Sequence, residues 1–222
     1  MKVAALYDIH GMPWAFEAVL ADVEAERVDA IVLGGDYLYG PYPRQTVERV
    51  RSLDAHVLRG NCEDLAEEWE RAELAPGDLE WLQSRPLTAT IDGVVYCHAS
   101  PTSNTPVTTA ITPGNAVRRT FAGTTGTVVI GHTHHQFDRV FGELRVVNAG
   151  SVGMPYEGEV AAFWLVIEDG EPRFRRTPFD VGLAVEAVRR SAWPHAQAFA
   201  DENLVAVVDR DEAIEQLESR RT

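Results

Sequence analysis

The chain has 222 residues and a formal net charge of −14 at pH 7. A surface of that sign repels a phosphate backbone, which argues against non-specific binding to nucleic acids. Hydrophobic residues make up 45% of the chain, which is enough for a buried core. The length suits one large domain better than two small ones.

Two further observations bear on the cellular compartment. Cys62 and Cys97 are too few for a disulfide framework, and their scarcity suits a reducing compartment. The first residues lack the apolar stretch of a signal peptide, and the longest apolar run, residues 160–167, is too short to span a membrane. We therefore expect a cytoplasmic protein that has no membrane partner.

The first part of the chain alternates apolar runs with amphipathic segments. Residues 2–7, 30–33 and 55–58 are short apolar runs typical of buried strands. Residues 14–27 and 43–53 lie between them and have the apolar spacing of helices. This βαβαβ order predicts a parallel sheet covered by helices.

The middle of the chain predicts more short elements. Residues 62–84 are acidic and helical in character, with a break at Pro76-Gly77, and Asp92-Gly93 predicts a hairpin between strands at 87–91 and 94–97. A helix follows Pro113, and further strands are predicted at 127–130, 144–147, 160–167 and 173–177. The close spacing of the last three strands predicts a second, antiparallel sheet.

The tail is harder to interpret. We expect residues from about 178 to 222 to form a C-terminal helical extension whose packing the sequence does not define. Within it, Asp180 suits the N-cap of a helix that runs to about residue 190, and residues 209–219 suit a last helix. We expect residues 1–222 as a whole to form a single domain.

Polar side chains with metal-binding chemistry follow the predicted strands. They occur in Asp8-Ile9-His10, Gly35-Asp36, Gly60-Asn61, His98 and Gly131-His132-Thr133-His134. Because ligands bind at the carboxyl ends of strands in open α/β sheets, we expect these segments to converge on one edge. Imidazole nitrogens and hard oxygens suit Mn, Fe, Zn or Ni, and seven such ligands suit two ions that share a bridging carboxylate.

Each motif is weak by itself, since a lone Gly-Asp is typical of a turn. Paired histidines are more specific, because they are costly to bury without a ligand. On an extended segment, residues two apart point to the same side, so Asp8 would lie beside His10 and His132 beside His134. The glycines before Asp36, Asn61 and His132 would let the backbone turn sharply at the strand ends.

Together these motifs resemble those of the calcineurin-like metallophosphoesterases, particularly the small bacterial and archaeal branch. The resemblance covers residues 1 to about 177 and includes His98-Ala99-Ser100-Pro101, Gly40-Pro41-Tyr42-Pro43 and Asn148-Ala149-Gly150-Ser151-Val152-Gly153. It implies an α/β (α+β) fold, a four-layer αββα sandwich of two mixed β-sheets flanked by helices. It also implies two divalent transition-metal ions, with Mn expected and Fe, Zn or Ni able to replace it.

The resemblance also implies the ligand sets. Asp8, His10, Asp36 and His134 would hold one metal, and Asp36, Asn61, His98 and His132 would hold the other, with Asp36 bridging the two.

One departure from the family pattern concerns the general acid. Cys62 stands where many members have a histidine that is thought to protonate the leaving group or bind the phosphate. His135 is the candidate substitute, although an exposed or strand-edge histidine is the simpler interpretation. The acidic run of residues 63–73 is most simply a solvated helix face, and a lid that disfavours polyanions is the alternative.

The resulting expectation is a metal-dependent phosphoesterase that hydrolyses small phosphate esters, preferentially diesters, by in-line attack of a metal-bridging hydroxide. The candidate catalytic residues are Asp36, Asn61, His98 and His135. A binding scaffold of the same fold is the main alternative, and the intact ligand set argues against it. A phosphomonoesterase and a protein phosphatase are further alternatives. Dimers and tetramers are frequent among relatives, so the resemblance also allows a homo-oligomer.

Overall fold

The computed structural model describes residues 1–221, and position 222, which the predicted domain and tail ranges include, lies outside them. The elements are β1 (Lys2–Leu6), α1 (Pro13–Glu26), β2 (Ala30–Leu33), α2 (Pro43–Ser52), β3 (His56–Val57), α3 (Glu68–Glu73), α4 (Asp78–Gln83), β4 (Thr88–Ile91), β5 (Val94–Cys97), α5 (Gly114–Thr120), β6 (Gly126–Ile130), β7 (Phe137–Phe141), β8 (Leu144–Asn148), β9 (Ala162–Glu168), β10 (Glu171–Thr177), α6 (Val181–Arg190), α7 (Ala196–Phe199) and α8 (Arg210–Ser219). A π-helical segment, Ala200–Val205, lies between α7 and α8.

The strands form two mixed sheets of five strands each. The first sheet has the order β10-β9-β1-β2-β3, and the second has the order β4-β5-β6-β8-β7. In the first, β1, β2 and β3 are parallel, while β9 is antiparallel to both β1 and β10. In the second, β5, β6 and β8 are parallel, while β4 and β7 pair antiparallel at the two edges.

Three buried hydrophobic clusters lie between the four layers of the molecule. Alternate residues of β1 point to opposite faces, so Val3 and Ala5 lie between the sheets while Ala4 and Leu6 lie under the helices of the first sheet. A third cluster packs Val117 of α5 against the outer face of the second sheet. This arrangement confirms the predicted αββα sandwich and explains the continuous apolar runs, since strands covered on both faces need no polar alternation.

The prediction that the last three predicted strands share one antiparallel sheet was wrong for β8, although β9 and β10 do pair antiparallel. β8 joins the second sheet beside β6, whereas β9 and β10 join the first sheet beside β1. β9 is buried along nearly its whole length, so its stable position is inside a sheet that is covered on both faces. Closeness along the chain therefore did not decide the pairing.

Two regions of structure carry little sequence signal. β7 is an edge strand in which buried Phe137 is followed by exposed or half-buried residues, so it lacks a continuous apolar run. In the tail, Asp180 caps α6 as expected, and Asp209 caps α8, the predicted last helix. α7 and the π-helical segment were not predicted. Trp193 and Phe199 of this tail pack into the same cluster as residues of β1 and α1.

Among the described residues, none of the helices has both the length and the apolar character needed to cross a membrane.

Gly34, at the end of β2, offers a test of this packing. A Cβ at this position would lie 2.0 Å from ring atoms of Tyr7, which is fully buried between the sheets. We expect Gly34→Ala to lower the free energy of unfolding by about 3 kcal/mol, because the ring has no space to move. Urea denaturation measures this change.

Gly182→Ala in α6 is the matched control, because a Cβ there would lie at an ordinary contact distance, 3.4 Å, from Asp180 Oδ1. It should leave stability unchanged or raise it by up to about 1 kcal/mol. Equal denaturation midpoints for the two variants would contradict the packing described here.

Candidate metal centre

The seven predicted ligand residues meet at the carboxyl ends of the strands. Asp8, His10, Asp36 and His134 each offer a ligand atom within 4.8 Å of the others, and Asp36, His98 and His132 form a second such group. Asn61 joins the second group, since its Oδ1 lies 3.0 Å from His98 Nε2. Asp36 is common to both groups, so the pair has the arrangement typical of a binuclear metal site.

The backbone at these residues is not extended. The period of a strand therefore does not explain why Asp8 lies near His10 or His132 near His134, and that part of the prediction was wrong. Asp8, His10, Asp36, His132 and His134 all have positive φ angles, between 49° and 66°. Such conformations are strained for residues other than glycine and persist only where the surroundings hold them. Here the loops hold one another, for example through the His10 N–H, which donates to Asp36 O at 3.0 Å.

The glycines that precede the ligands allow these loops to touch. Gly35 has a φ of 102°, and a Cβ there would lie 2.4 Å from Gly60 N. Gly131 has no positive φ, but a Cβ on it would lie 2.6 Å from Asp8 Oδ2. Close approach, more than a sharp turn, therefore requires glycine at position 131.

Each histidine of the site donates one ring N–H to a backbone carbonyl. The pairs are His10 Nδ1 with Leu38 O at 3.0 Å, His98 Nδ1 with Gly34 O at 3.0 Å, His134 Nδ1 with Met154 O at 2.7 Å and His132 Nε2 with Thr105 O at 3.2 Å. A carbonyl can only accept, so the opposite nitrogen of each neutral ring carries a lone pair that is free for another partner. Metal-binding histidines have this arrangement, because the outer hydrogen bond fixes the tautomer and the ring orientation.

Two observations show that the site fits cations. His10 Nε2 and His134 Nε2 lie 3.2 Å apart, and two lone pairs at that distance repel unless a proton or a cation lies between them. Asp8 Oδ1 is buried and has no hydrogen-bond partner among the described residues. The donor set of carboxylate oxygens and imidazoles suits divalent transition metals.

The charges of the protein atoms alone lead to the same conclusion. Burial raises the pKa of Asp8 well above its usual range. Burial also opposes charge on His98, but the neighbouring Asp36 and Asp8 carboxylates outweigh it and raise the pKa of His98 to about 10. Without cations the site therefore retains protons, because buried carboxylates need positive charge beside them.

Glu63 is a buried part of the site that the sequence interpretation missed. Its side chain is fully buried and accepts backbone N–H groups from Gly60 at 2.7 Å, Tyr37 at 2.8 Å and Asp36 at 3.1 Å. Burial, followed by the nearby Asp36 carboxylate, raises the pKa of Glu63 to about 7. The acidic run is therefore not simply a solvated face: its first residue ties the loop after β2 to the loop after β3.

A cavity of about 390 Å³ opens over the ligand residues. Its lining residues are His10, Asp36, Tyr39, Asn61, Cys62, Leu65, Glu67, Glu70, His132, His134 and Met154. Two carboxylates outside the ligand set line it, and this lining, which lies entirely within the described chain, contains neither lysine nor arginine. Positive charge in this cavity must therefore come from protons or cations that the ligand residues hold.

His135 does not join the site, which corrects its assignment as a candidate general acid. Its Nδ1–H donates to Thr133 O at 2.6 Å, and its Nε2 accepts the Ala110 N–H at 3.1 Å. Burial lowers the pKa of His135 to about 4, so the ring is neutral near pH 7. Both ring nitrogens are occupied, and the residue does not line the cavity.

Comparisons with known proteins identify the family of the chain. The calcineurin-like phosphoesterase superfamily domain matches residues 1–170 of the chain. Among curated proteins, none matches the sequence significantly.

Several solved structures share the fold. A metallophosphoesterase from Sphaerobacter thermophilus is 24% identical, with a TM-score of 0.74, and the match covers 91% of this chain and 99% of that one. A hypothetical protein from Pyrococcus horikoshii OT3 is 16% identical, with a TM-score of 0.75 and coverage of 90% and 97%. The E. coli phosphoesterase Yfce is 24% identical, with a TM-score of 0.50 and coverage of 76% and 89%.

At these identities the structural likeness shows the fold, while the family match extends over most of the chain and includes all seven residues of the two metal-site groups. The chain therefore belongs to the calcineurin-like phosphoesterase superfamily.

Proposed function

We propose that this metallophosphoesterase hydrolyses small phosphate esters, with a preference for phosphodiesters. The observation that carries the proposal is the pair of buried ligand groups that share Asp36 at the floor of an open cavity. If each group held a cation, the pair would supply the two-metal chemistry that acts on phosphoryl groups.

The proposed ligand sets follow the two groups. Asp8, His10, Asp36 and His134 hold one ion, and Asp36, Asn61, His98 and His132 hold the other, with Asp36 bridging. Manganese is the first metal to test, followed by iron, zinc and nickel, because all accept this donor set. When bound, the ions supply a nucleophilic water of lowered pKa and neutralise charge on the phosphoryl oxygens.

The chain's own residues hold this centre in place. Burial opposes ionisation of Asp36, but the His98 and His10 rings and the Cys62 N–H keep the pKa of Asp36 below its usual range. The Cys62 N–H donates to Asp36 Oδ1 at 2.9 Å, which fixes the direction of the bridging carboxylate. Asp36 is therefore an ionised and oriented ligand at neutral pH.

The preference for diesters rests on charge. Near neutral pH a phosphodiester carries one negative charge, whereas a monoester approaches two, since the second phosphate pKa is about 6. The cavity carries Glu67 and Glu70 and has no arginine or lysine in its described lining. Each additional substrate charge is therefore repelled by the cavity walls.

The proposed function predicts which variants lose activity. We expect Asp36→Ala and His98→Ala to lose at least about 100-fold in hydrolysis of 4-nitrophenyl diesters and to bind less manganese, since each change removes a ligand. Activity across mono- and diesters with several divalent metals, together with metal analysis, measures both effects. Diesters should be hydrolysed faster than the matching monoesters.

His56→Ala is the control, since His56 is an exposed histidine of β3 that is not among the ligand residues. Full activity in either ligand variant would show that the assigned site is wrong. A wild-type protein that binds little metal and hydrolyses nothing after manganese is supplied would favour the scaffold alternative.

The leaving group should matter strongly. Cys62 replaces the histidine found in many relatives, and both nitrogens of His135 are occupied. We therefore expect methyl 4-nitrophenyl phosphate to react at least about 100-fold faster than dimethyl phosphate, because general-acid assistance contributes on that scale when it is present. Steady-state rates with saturating manganese measure the ratio, and equal rates would reveal an additional general acid in the site.

Glu63 should act as a positioning residue. Glu63→Gln keeps the size of the side chain but removes its charge and places an amide donor among backbone N–H groups. We expect metal affinity to fall by about 10- to 100-fold, as for other groups that orient ligands, while activity at saturating manganese largely returns. Chelator competition measures the affinity, and kinetics at saturating metal separate binding from turnover.

Glu68→Gln is the matched control, because Glu68 lies in the same acidic segment and is exposed. A Glu63→Gln protein that binds manganese as tightly as the Glu68→Gln protein would show that the loops do not need this carboxylate.

A further inference from the structure

A second cavity lies apart from the metal centre. It has a volume of about 460 Å³ and is formed by the loop after β5, helix α5 and the last described residues. We call it the arginine pocket, because Arg119, Arg220 and Arg221 all line it. No carboxylate is among its described lining residues, in contrast to the cavity over the metal centre.

Two of these arginines have no partner in the described part of the chain. Within residues 1–221, the side chains of Arg119 and Arg220 form neither a hydrogen bond nor an ion pair. Arg221 Nε donates to Glu218 Oε1 at 2.5 Å, and the other oxygen of Glu218 accepts from Thr112 at 2.7 Å. Glu218 is therefore already occupied by these contacts, and the described lining contains three arginines and no carboxylate in a chain of net charge −14.

Hydroxyl groups complete the lining. Thr102 and Thr120 face the same space as the arginines, and among residues 1–221 neither hydroxyl has a hydrogen-bond partner. Guanidinium groups bind phosphate-type oxyanions through paired N–H donors, and hydroxyls can donate to the remaining oxygens. Charge, donor type and available space all point to the same ligand chemistry.

We propose that the arginine pocket is a second anion site that binds a phosphate-type oxyanion, either free phosphate or the phosphoryl group of a small molecule. The site is separate from the metal centre, since the described linings of the two cavities share no residue, but one hydrogen bond links them. Thr105 lines the pocket, and its carbonyl oxygen accepts the His132 ring N–H at 3.2 Å. An anion held there therefore contacts the same loop that orients one of the proposed metal ligands.

The test uses the metal-loaded, full-length chain and inorganic phosphate as the probe. Calorimetric titration of the wild type should show saturable binding that weakens as sodium chloride is added, as expected for a charged contact. Arg119→Gln should weaken binding at this site by at least about tenfold, the effect of losing one strong hydrogen bond to a charged group. Arg220→Gln is a second variant with the same expectation.

Arg118→Gln is the matched control, since Arg118 is the preceding residue of α5, is similarly exposed and lies outside the pocket. It should bind phosphate like the wild type. The inhibition constant of phosphate in the esterase assay reports the metal centre, and Arg119→Gln should leave it unchanged. Calorimetry needs no turnover, so loss of phosphate binding at the arginine pocket remains measurable even if the proposed esterase activity is absent.

Two outcomes would overturn the proposal. One is equal weakening by Arg118→Gln and Arg119→Gln, which would mean that only overall charge matters. The other is that the Arg119→Gln and Arg220→Gln proteins bind as many phosphate ions as the wild type, with the same affinity. Circular dichroism of each variant establishes that the fold is retained.

Discussion

Two buried carboxylates, Asp8 and Asp36, lie among imidazole rings at the ends of parallel strands, and much of the surrounding structure serves to make that burial tolerable. Strained backbone at the ligands, glycines without room for a Cβ and the buried Glu63 carboxylate all bring the strand-end loops close together. An ionised group so far from water is stable only when opposite charge and hydrogen bonds surround it. In the metal-free protein protons supply that charge, and in the proposed working state cations do.

The site could be predicted from sequence because its position follows from a simple rule. Asp8, Asp36 and His98 each follow an apolar run, and parallel strands bring their carboxyl ends to one edge. Asn61 and His132 could be placed by the same reasoning, even though the backbone conformation at His132 could not. Left-handed φ angles at aspartate and histidine depend on contacts between loops, which local sequence does not encode.

Other features depended on tertiary context for similar reasons. The pairing of β9 with β1 follows from burial on two faces, and nothing in the local pattern distinguishes that from a hairpin with β8. β7 is an edge strand that needs few apolar residues. Glu63 resembles the exposed acidic residues that follow it, and only the folded loops reveal that its carboxylate replaces water for several backbone N–H groups.

The carbonyl partners of the site histidines have a consequence for how the centre is assembled. Leu38, Gly34 and Met154 orient three rings through main-chain oxygens, and none of these hydrogen bonds needs an ion to form. Binding of a metal would then require loss of the protons that the site retains more than reorientation of these rings. Mixed nitrogen and oxygen donors accept several first-row metals, so metal availability, together with ligand type and geometry, would decide which ions occupy the centre.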